Sequence, residues 1–166
     1  MFRRTLLPHV DAVLRGGTAT VLSVANRLQL VYVDSGRWQE AEKLQIMVME
    51  TTKRVLGEEH PHTLMGMTNL AATYRKQGRW KEAEVLEVLV METTKRVLGE
   101  EHPDTLTGMA DLASTYWNQG RWKEAEVLQV LVMEIMKRVL GEEHPDTLTS
   151  ISNLEYMRQN RNQGNL

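Results

Sequence analysis

The chain has 166 residues, of which 42% are apolar and 25% charged, a composition typical of a soluble folded protein. Its formal net charge is −2, so there is no basic excess to bind nucleic acid or an anionic membrane. The sequence has no cysteine, which excludes disulfides and thiolate metal sites and fits a reducing compartment. No apolar run is long enough to cross a bilayer. We therefore expect a cytoplasmic protein with neither a nucleic-acid nor a membrane partner.

A 42-residue repeat dominates the sequence. Gly-Arg-Trp occurs at 36–38, 78–80 and 120–122, and Lys-Arg-Val-Leu-Gly-Glu-Glu-His-Pro recurs at the same interval. A period of this length indicates supersecondary units that stack on one another. We expect one repeat domain over 1–166, divided into a degenerate N-terminal helix or cap (1–16), repeat 1 (17–56), repeat 2 (57–98), repeat 3 (99–140) and a truncated repeat 4 or C-terminal cap (141–166).

Each repeat is predicted to contain two helices, A and B. Apolar residues at three- and four-residue steps mark helix A over 61–77, where Pro61 suits the first turn and Gly78 the end, as a cap with positive φ. Helix B runs from Arg79 to Leu98 and is apolar over a broad arc, which predicts cover on more than one side. Short connectors make neighbouring helices antiparallel. The pattern predicts an all-α chain of seven helices in the order A–B–A–B–A–B–A.

Several helical repeat families have periods in this range, and the motif around Gly-Arg-Trp distinguishes them. Asn69-Leu70-Ala71, Tyr74, Gly78-Arg79-Trp80 and Glu82-Ala83-Glu84 resemble the tetratricopeptide repeat. The segment 98–105 is similar to the longer, kinesin-light-chain variety, and near-identical arrays of this kind also resemble repeats of fungal nucleotide-binding receptor proteins. The resemblance covers residues 17–154 and implies a right-handed superhelical solenoid of antiparallel helix pairs.

In that family the A helices line a concave groove that holds peptides, so the resemblance implies a protein-binding scaffold and not an enzyme. Paired lysines that capture a C-terminal carboxylate in chaperone-binding members are missing here, and we do not expect that ligand. No cofactor is expected. Carrying the motif over by position gives these candidate groove residues: Asn26, Leu30 and Val33; Met65, Thr68, Asn69, Ala72, Arg75 and Lys76; Thr107, Asp111, Ser114, Trp117 and Asn118; and Asn153.

Trp117 departs from the repeat pattern, because Val33 and Arg75 occupy the same position in other copies. The fold therefore does not require an aromatic residue there. Tryptophan is a favoured interface anchor, so both a binding role and local packing are open. Arg75 and Lys76 could attract an acidic peptide, although a mixed solvated face is the simpler interpretation.

Ile135 and Met136 replace threonine pairs of the other repeats and add apolar surface near the end of the array. They could contact the last helix, through Ile151, Leu154 or Tyr156, or they could mediate self-association. The second interpretation motivates an alternative function, a self-associating structural or regulatory arm of a larger receptor-like protein. Under this alternative, the partner is a second copy of the chain, and a homo-oligomer forms through the open ends of the solenoid.

Three further sets of residues recur once per repeat and could suggest chemistry. Neighbouring copies should lie about 10 Å apart, too far to share one metal ion, and no nucleophile accompanies the carboxylates. We interpret the histidines as turn residues before proline, the glutamates as solvated, and the tryptophans as packed or half-buried anchors. We expect neither a metal site nor catalytic residues. The sets are His60, His102 and His144; the glutamate pairs at 58–59, 100–101 and 142–143; and Trp38, Trp80 and Trp122.

Overall fold

The computed structural model describes residues 31–32 and 35–163, which contain six bounded α-helices and no β-strand. The prediction of an all-α chain with alternating A and B helices is confirmed for these residues. The predicted N-terminal cap lies outside them, and so does the predicted first A helix except for residues 31–32, which are helical. The helices are α1 (Trp38–Leu56), α2 (Pro61–Lys76), α3 (Trp80–Leu98), α4 (Pro103–Asn118), α5 (Trp122–Leu140) and α6 (Pro145–Gln163).

The chain divides into two compact units, Met1–Gly66 and Met67–Leu166. In the first unit, α1 buries Ala41 and Gln45. A Cβ atom at Gly66 would stand 3.6 Å from the Cβ of Met49, an ordinary van der Waals distance that reflects close approach of the α2 backbone to α1. The second unit holds most of α2 and the whole of α3 to α6.

The helices begin and end at the proline and glycine residues that the sequence predicts. Gly78 and Gly120 follow A helices with φ of 73° and 78°, and Gly99 and Gly141 follow B helices with φ of 98° and 96°. Such positive φ angles favour glycine, since a Cβ atom would be strained there. Proline begins each A helix where its missing N–H costs no helical hydrogen bond. These signals explain why the sequence predicted the helix bounds closely.

The loop between B and the next A helix is held by two side chains. The His102 Nδ1 atom accepts a hydrogen bond of 3.2 Å from the Asp104 backbone N–H, and His144 does the same for Asp146. The hydroxyl of Thr105, which is fully buried, donates to the Gly99 carbonyl at 2.8 Å. The interpretation of the histidines as turn residues before proline is therefore confirmed, with the added detail that they cap the following helix.

The core of the second unit is built around α4. Leu106 and Met109 of α4 pack with Val132 and Ile135 of α5, and Met91 of α3 closes the same cluster. Farther along α4, Ala113 packs with residues of α5 and α6. Helix α4 is thus covered by its own B helix, by the preceding B helix and, near Ala113, by α6, as stacking of repeats requires.

Two glycine substitutions test this local structure. Gly99→Ala places a Cβ atom at φ +98°, so we expect a loss of about 1 kcal/mol or more in the free energy of unfolding. Gly108→Ala is its matched control, because Gly108 lies inside α4 and a Cβ would meet Met91 at 3.7 Å, an ordinary contact. There we expect a gain of about 0.5–1 kcal/mol from helix propensity. Urea denaturation measures both, and a stabilising Gly99→Ala would contradict the cap.

Candidate functional site

An exposed stripe runs along each A helix of the second unit. On α4 it consists of Thr107, Asp111, Ser114 and Asn118, at steps of four, three and four residues, which places them on one side of the helix. All four are half-buried or exposed, whereas Leu112 and Ala113 between them are buried. We call the A-helix face the following set: Asn69, Ala72 and Lys76 of α2; Thr107, Asp111, Ser114 and Asn118 of α4; and Thr149, Asn153, Tyr156 and Asn160 of α6.

The structure accounts for the candidate groove residues as follows. Met65 is exposed in the first unit, and Thr68 is half-buried beside the face on α2. The remaining candidates on α2, α4 and α6 either belong to the A-helix face or lie next to it, at Arg75 and Trp117. Asn26, Leu30 and Val33 lie outside the described residues.

Tyr156 is the residue that the sequence prediction missed. It stands 42 residues after Ser114 and 84 after Ala72, both of which were candidates, and its side chain is 60% exposed. The same interval adds Thr149 and Asn160. Carrying the period one repeat further would have found all three. The resemblance of α6 to the other A helices ends at Leu154, which explains why the motif alone did not reach Tyr156.

An ion pair joins the A helices of successive repeats. The Arg75 Nη1 atom of α2 lies 2.8 Å from the Asp111 Oδ1 atom of α4, and Arg75 Nε lies 3.3 Å from Glu87 Oε1 of α3. Arg75 therefore faces two carboxylates, and its charge is compensated within the chain. This arrangement weakens the hypothesis that Arg75 attracts an acidic peptide.

Glu87 is the most unusual titratable group near this face. Its side chain is only 4% exposed, and burial raises the pKa of its carboxyl group, with Arg75 acting in the opposite direction. The corresponding residue of the other repeats is neutral: Gln45, or Gln129, whose amide donates to the Ser150 carbonyl at 3.1 Å. Repeat 2 thus carries an acid at a position where its neighbours carry an amide.

Polar side chains of the face bond to their own helices. Asn118 Nδ2 donates to the Ser114 carbonyl at 2.8 Å, and Asn160 Nδ2 donates to the Tyr156 carbonyl at the same distance. Each amide is thereby oriented while its oxygen and second hydrogen are not used in these bonds. Besides Lys76 and Asp111, the face offers neutral hydrogen-bonding groups and one aromatic ring.

Trp117 packs inside the second unit. It is half-buried against a cluster of Ala113, Ala125 and Met157, and its ring centroid lies 6.2 Å from that of Trp122. Tilted aromatic pairs at this distance are stabilising. These contacts support local packing as the role of Trp117.

Ile135 is covered by its own repeat. It is 4% exposed and packs with Leu106 and Met109 of α4, with Met136 half-buried beside the same cluster. The cluster around Ile135 is formed by residues of α3, α4 and α5. Because Ile135 is already covered within the chain, it adds no exposed apolar surface for self-association.

The arginine of Gly-Arg-Trp links neighbouring repeats. Arg121 Nη1 lies 2.6 Å from Glu84 Oε1 of α3, Arg121 Nη2 lies 2.6 Å from Glu124 of α5, and the guanidinium stacks 3.9 Å from the Tyr116 ring centroid. Burial alone would raise the pKa of Glu84, but hydrogen bonds from Arg121 and Gln119 hold this pKa below its usual value. Trp122 and Trp80 are half-buried, as predicted for anchors, whereas the side chain of Trp38 lies outside the part of the chain that the structure describes. The motif is therefore structural.

The described residues show no sign of two other kinds of site. No group of three or more His, Cys, Asp or Glu side chains in that part of the chain could hold a metal ion. No helix there is both long and apolar enough to span a membrane.

Comparison with known proteins identifies the repeat. Two tetratricopeptide repeat models match, one over residues 18–87 and the other over 105–146. No curated protein matches the sequence. Among solved structures, a proposed kinesin light chain of Podosopora anserina with nearly identical TPR-like repeats is 32% identical, covers 86% of this chain and 67% of its own, and has a TM-score of 0.76.

Two further structures share the fold. A glutamine-to-methionine variant of the same Podosopora anserina protein is 31% identical with the same TM-score of 0.76, and it covers 86% of this chain and 67% of its own. BtubC (BKLC) from P. vanneervenii has a TM-score of 0.75 at 19% identity, covering 86% of this chain and 57% of its own. At that identity the likeness to BtubC concerns the fold alone.

The raised pKa of Glu87 predicts a pH-dependent effect of Glu87→Gln. An acid whose pKa is higher in the folded state stabilises the fold most below its unfolded value of 4.5, and this contribution is lost as the pH rises through the folded pKa. The variant, which restores the residue type of Gln45 and Gln129, should exceed wild type in free energy of unfolding at pH 7. The difference should shrink as the pH falls through the folded pKa and should be nearly absent below 4.5.

Urea denaturation at several pH values measures this difference. Glu82→Gln is the control, because Glu82 is exposed and a hydrogen bond from Arg79 lowers its pKa. The Glu82→Gln variant should have a free energy of unfolding slightly lower than that of wild type at pH 7. A Glu87→Gln chain less stable than wild type at pH 7 would show that the interaction with Arg75 outweighs the cost of burial.

Proposed function

The chain belongs to the tetratricopeptide repeat family, in its kinesin-light-chain-like form, and we propose that it is a scaffold that binds a peptide or protein segment along the A-helix face. Repeats of this family generally mediate protein–protein interaction, and the fold is generally non-enzymatic. Binding along the A-helix face is supported by the exposed polar and aromatic side chains of that face. A cytoplasmic location remains a prediction from the sequence.

The proposal rests on the positions at which the sequences of repeats 2 and 3 differ. Residues 57–98 and 99–140 differ at ten positions. Seven of the ten lie on helix A: His62/Asp104 in its first turn and six pairs at candidate groove positions or their equivalents. The six pairs are Met65/Thr107, Thr68/Ala110, Asn69/Asp111, Ala72/Ser114, Arg75/Trp117 and Lys76/Asn118. Ala110 and Trp117 also pack against the core, and the other three differences lie on helix B. The six pairs nevertheless concentrate on one side of helix A, which is the distribution expected of a recognition surface.

The chemistry of the face favours a largely uncharged segment. Asp111 is paired with Arg75, so the α4 part of the face has no uncompensated carboxylate. Asn118, Asn153 and Asn160 offer donors and acceptors to a peptide backbone, and Tyr156 offers an exposed ring with a polar end. Tyrosine is enriched at the centres of protein interfaces. We therefore expect Tyr156 to be the anchor.

Rigid presentation supplies the mechanism. The face lies on helices that are packed on several sides, so little side-chain and backbone order has to be gained when a ligand binds. Each A helix contributes a few contacts, and affinity accumulates along the array. Modest affinity per repeat is the expected result.

Peptide selection followed by titration tests the proposal. Peptides selected from a random display library on wild type are retested on Tyr156→Ala/Asn153→Ala, whose two side chains are exposed and whose loss should leave the fold intact. We expect an affinity loss of at least tenfold, about 1.4 kcal/mol. Val139→Ala, which removes an exposed side chain at the end of α5, is the control and should bind as wild type does.

NMR amide shifts of the labelled protein locate the bound peptide independently of the variants. Perturbations should fall on α2, α4 and α6 along the A-helix face. Selected peptides that bind the double variant unchanged and perturb only B helices would overturn the proposed binding mode.

A further inference from the structure

The outer sides of the two B helices of the second unit carry an exposed apolar pattern. On α3, Val85 is 68% and Leu89 41% exposed; on α5, Val127 is 71% and Leu131 39% exposed. The two pairs are 42 residues apart and occupy identical positions in successive repeats. Clustered exposed apolar residues of this kind on a soluble protein mark interaction surfaces.

Charged residues bracket the apolar pair on each helix. Lys81 precedes Val85 by one turn and Glu92 follows Leu89 by three residues, so all four lie on one side of α3. On α5 the same positions are Lys123, Val127, Leu131 and Glu134. We call these eight residues the outer B face.

These bracketing charges differ from the others on the same helices. Glu82, Glu84, Glu124 and Glu126 each pair with an arginine. Lys81, Glu92, Lys123 and Glu134, by contrast, have no ion-pair partner within the described ranges 31–32 and 35–163. All four are exposed. Each helix therefore carries a positive group at one end of its apolar pair and a negative group at the other, and both are available to a partner.

We propose that a second copy of this chain docks on the outer B face with its B helices antiparallel to those of the first. A two-fold axis through the middle of the face brings Lys81 or Lys123 of one copy to Glu92 or Glu134 of its partner, with valine and leucine side chains between them. The lysine and glutamate of one helix are 11 residues apart, about 16 Å along its axis. The pattern is thus complementary to itself when reversed, as an isologous interface requires.

The available area indicates a reversible dimer. The outer B face spans about 16 Å of each helix, and two helices of about 10 Å diameter present roughly 330 Å² over that length. Two copies would bury about 650 Å², less than a stable specific interface. We therefore expect weak, reversible association.

Repeat 1 lacks this pattern in its sequence. Its corresponding residues are Gln39, Lys43, Met47 and Glu50, with a lysine where the later repeats have an exposed valine. The face is therefore specific to α3 and α5. The inference does not depend on the proposed peptide binding, because it uses no residue of the A-helix face.

Sedimentation equilibrium over a concentration series tests the apolar contact. Wild type should dimerise, and Val85→Glu/Val127→Glu should raise the dissociation constant at least tenfold. The matched control is Val97→Glu/Val139→Glu, which adds the same charge at two valines that are 48% and 45% exposed on another side of the same helices. That control should dimerise as wild type does. A wild type that stays monomeric up to about 1 mM, or a control equally impaired, would overturn the proposal.

A charge exchange tests the antiparallel arrangement. Lys81→Glu/Lys123→Glu makes the face acidic, and Glu92→Lys/Glu134→Lys makes it basic, so each variant alone should dimerise at least tenfold more weakly than wild type. An equimolar mixture should restore dimers, because acidic and basic faces attract each other. Circular dichroism checks that both variants are folded. A mixture that remains as monomeric as its components would overturn the arrangement.

Discussion

The structure depends on the burial of helix A between neighbouring helices. Leu106, Met109 and Leu112 of α4 are each only 2% exposed, a burial that needs α5 from the same repeat and α3 from the repeat before. A single helix pair leaves part of this apolar surface in water, and its few contacts do not offset the conformational entropy lost on folding. Each repeat is therefore stabilised by its neighbour, and the ion pairs of Arg75 and Arg121 connect the same neighbours at the surface.

This constraint divides the sequence into fixed and variable parts. The positions that shape the loops recur in every repeat, as with the capping histidines and the glycines of positive φ. The core varies at a few positions, such as Glu87 and Gln129. The two exposed sides behave differently. The A-helix face changes from repeat 2 to repeat 3, as expected for recognition of different parts of one ligand. The outer B face is identical in both, as expected for a contact made twice with the same partner.

The sequence predicted the helices well because their signals are local: proline at the first turn, glycine at the end, and a 42-residue period that supplied three copies of each signal. It predicted the site less completely. Tyr156 lies in the repeat whose pattern changes, although the period alone could have found it. The burial of Ile135 and Glu87 depends on which helix packs against each side chain, and no local sequence pattern identifies that helix. Arg75 looks like a free surface charge in the sequence because its partner Asp111 is 36 residues away.

The dependence of each repeat on its neighbour can be measured by circular dichroism on a peptide of residues 99–140, which spans α4 and α5, beside the full chain. If stacking supplies the stability, the peptide should show little helix at about 25 °C and no cooperative thermal transition, because α3 and α6 no longer cover α4. The full chain should be strongly helical and unfold cooperatively. A peptide that is as helical per residue as the full chain, and that melts in a sharp transition, would contradict this account.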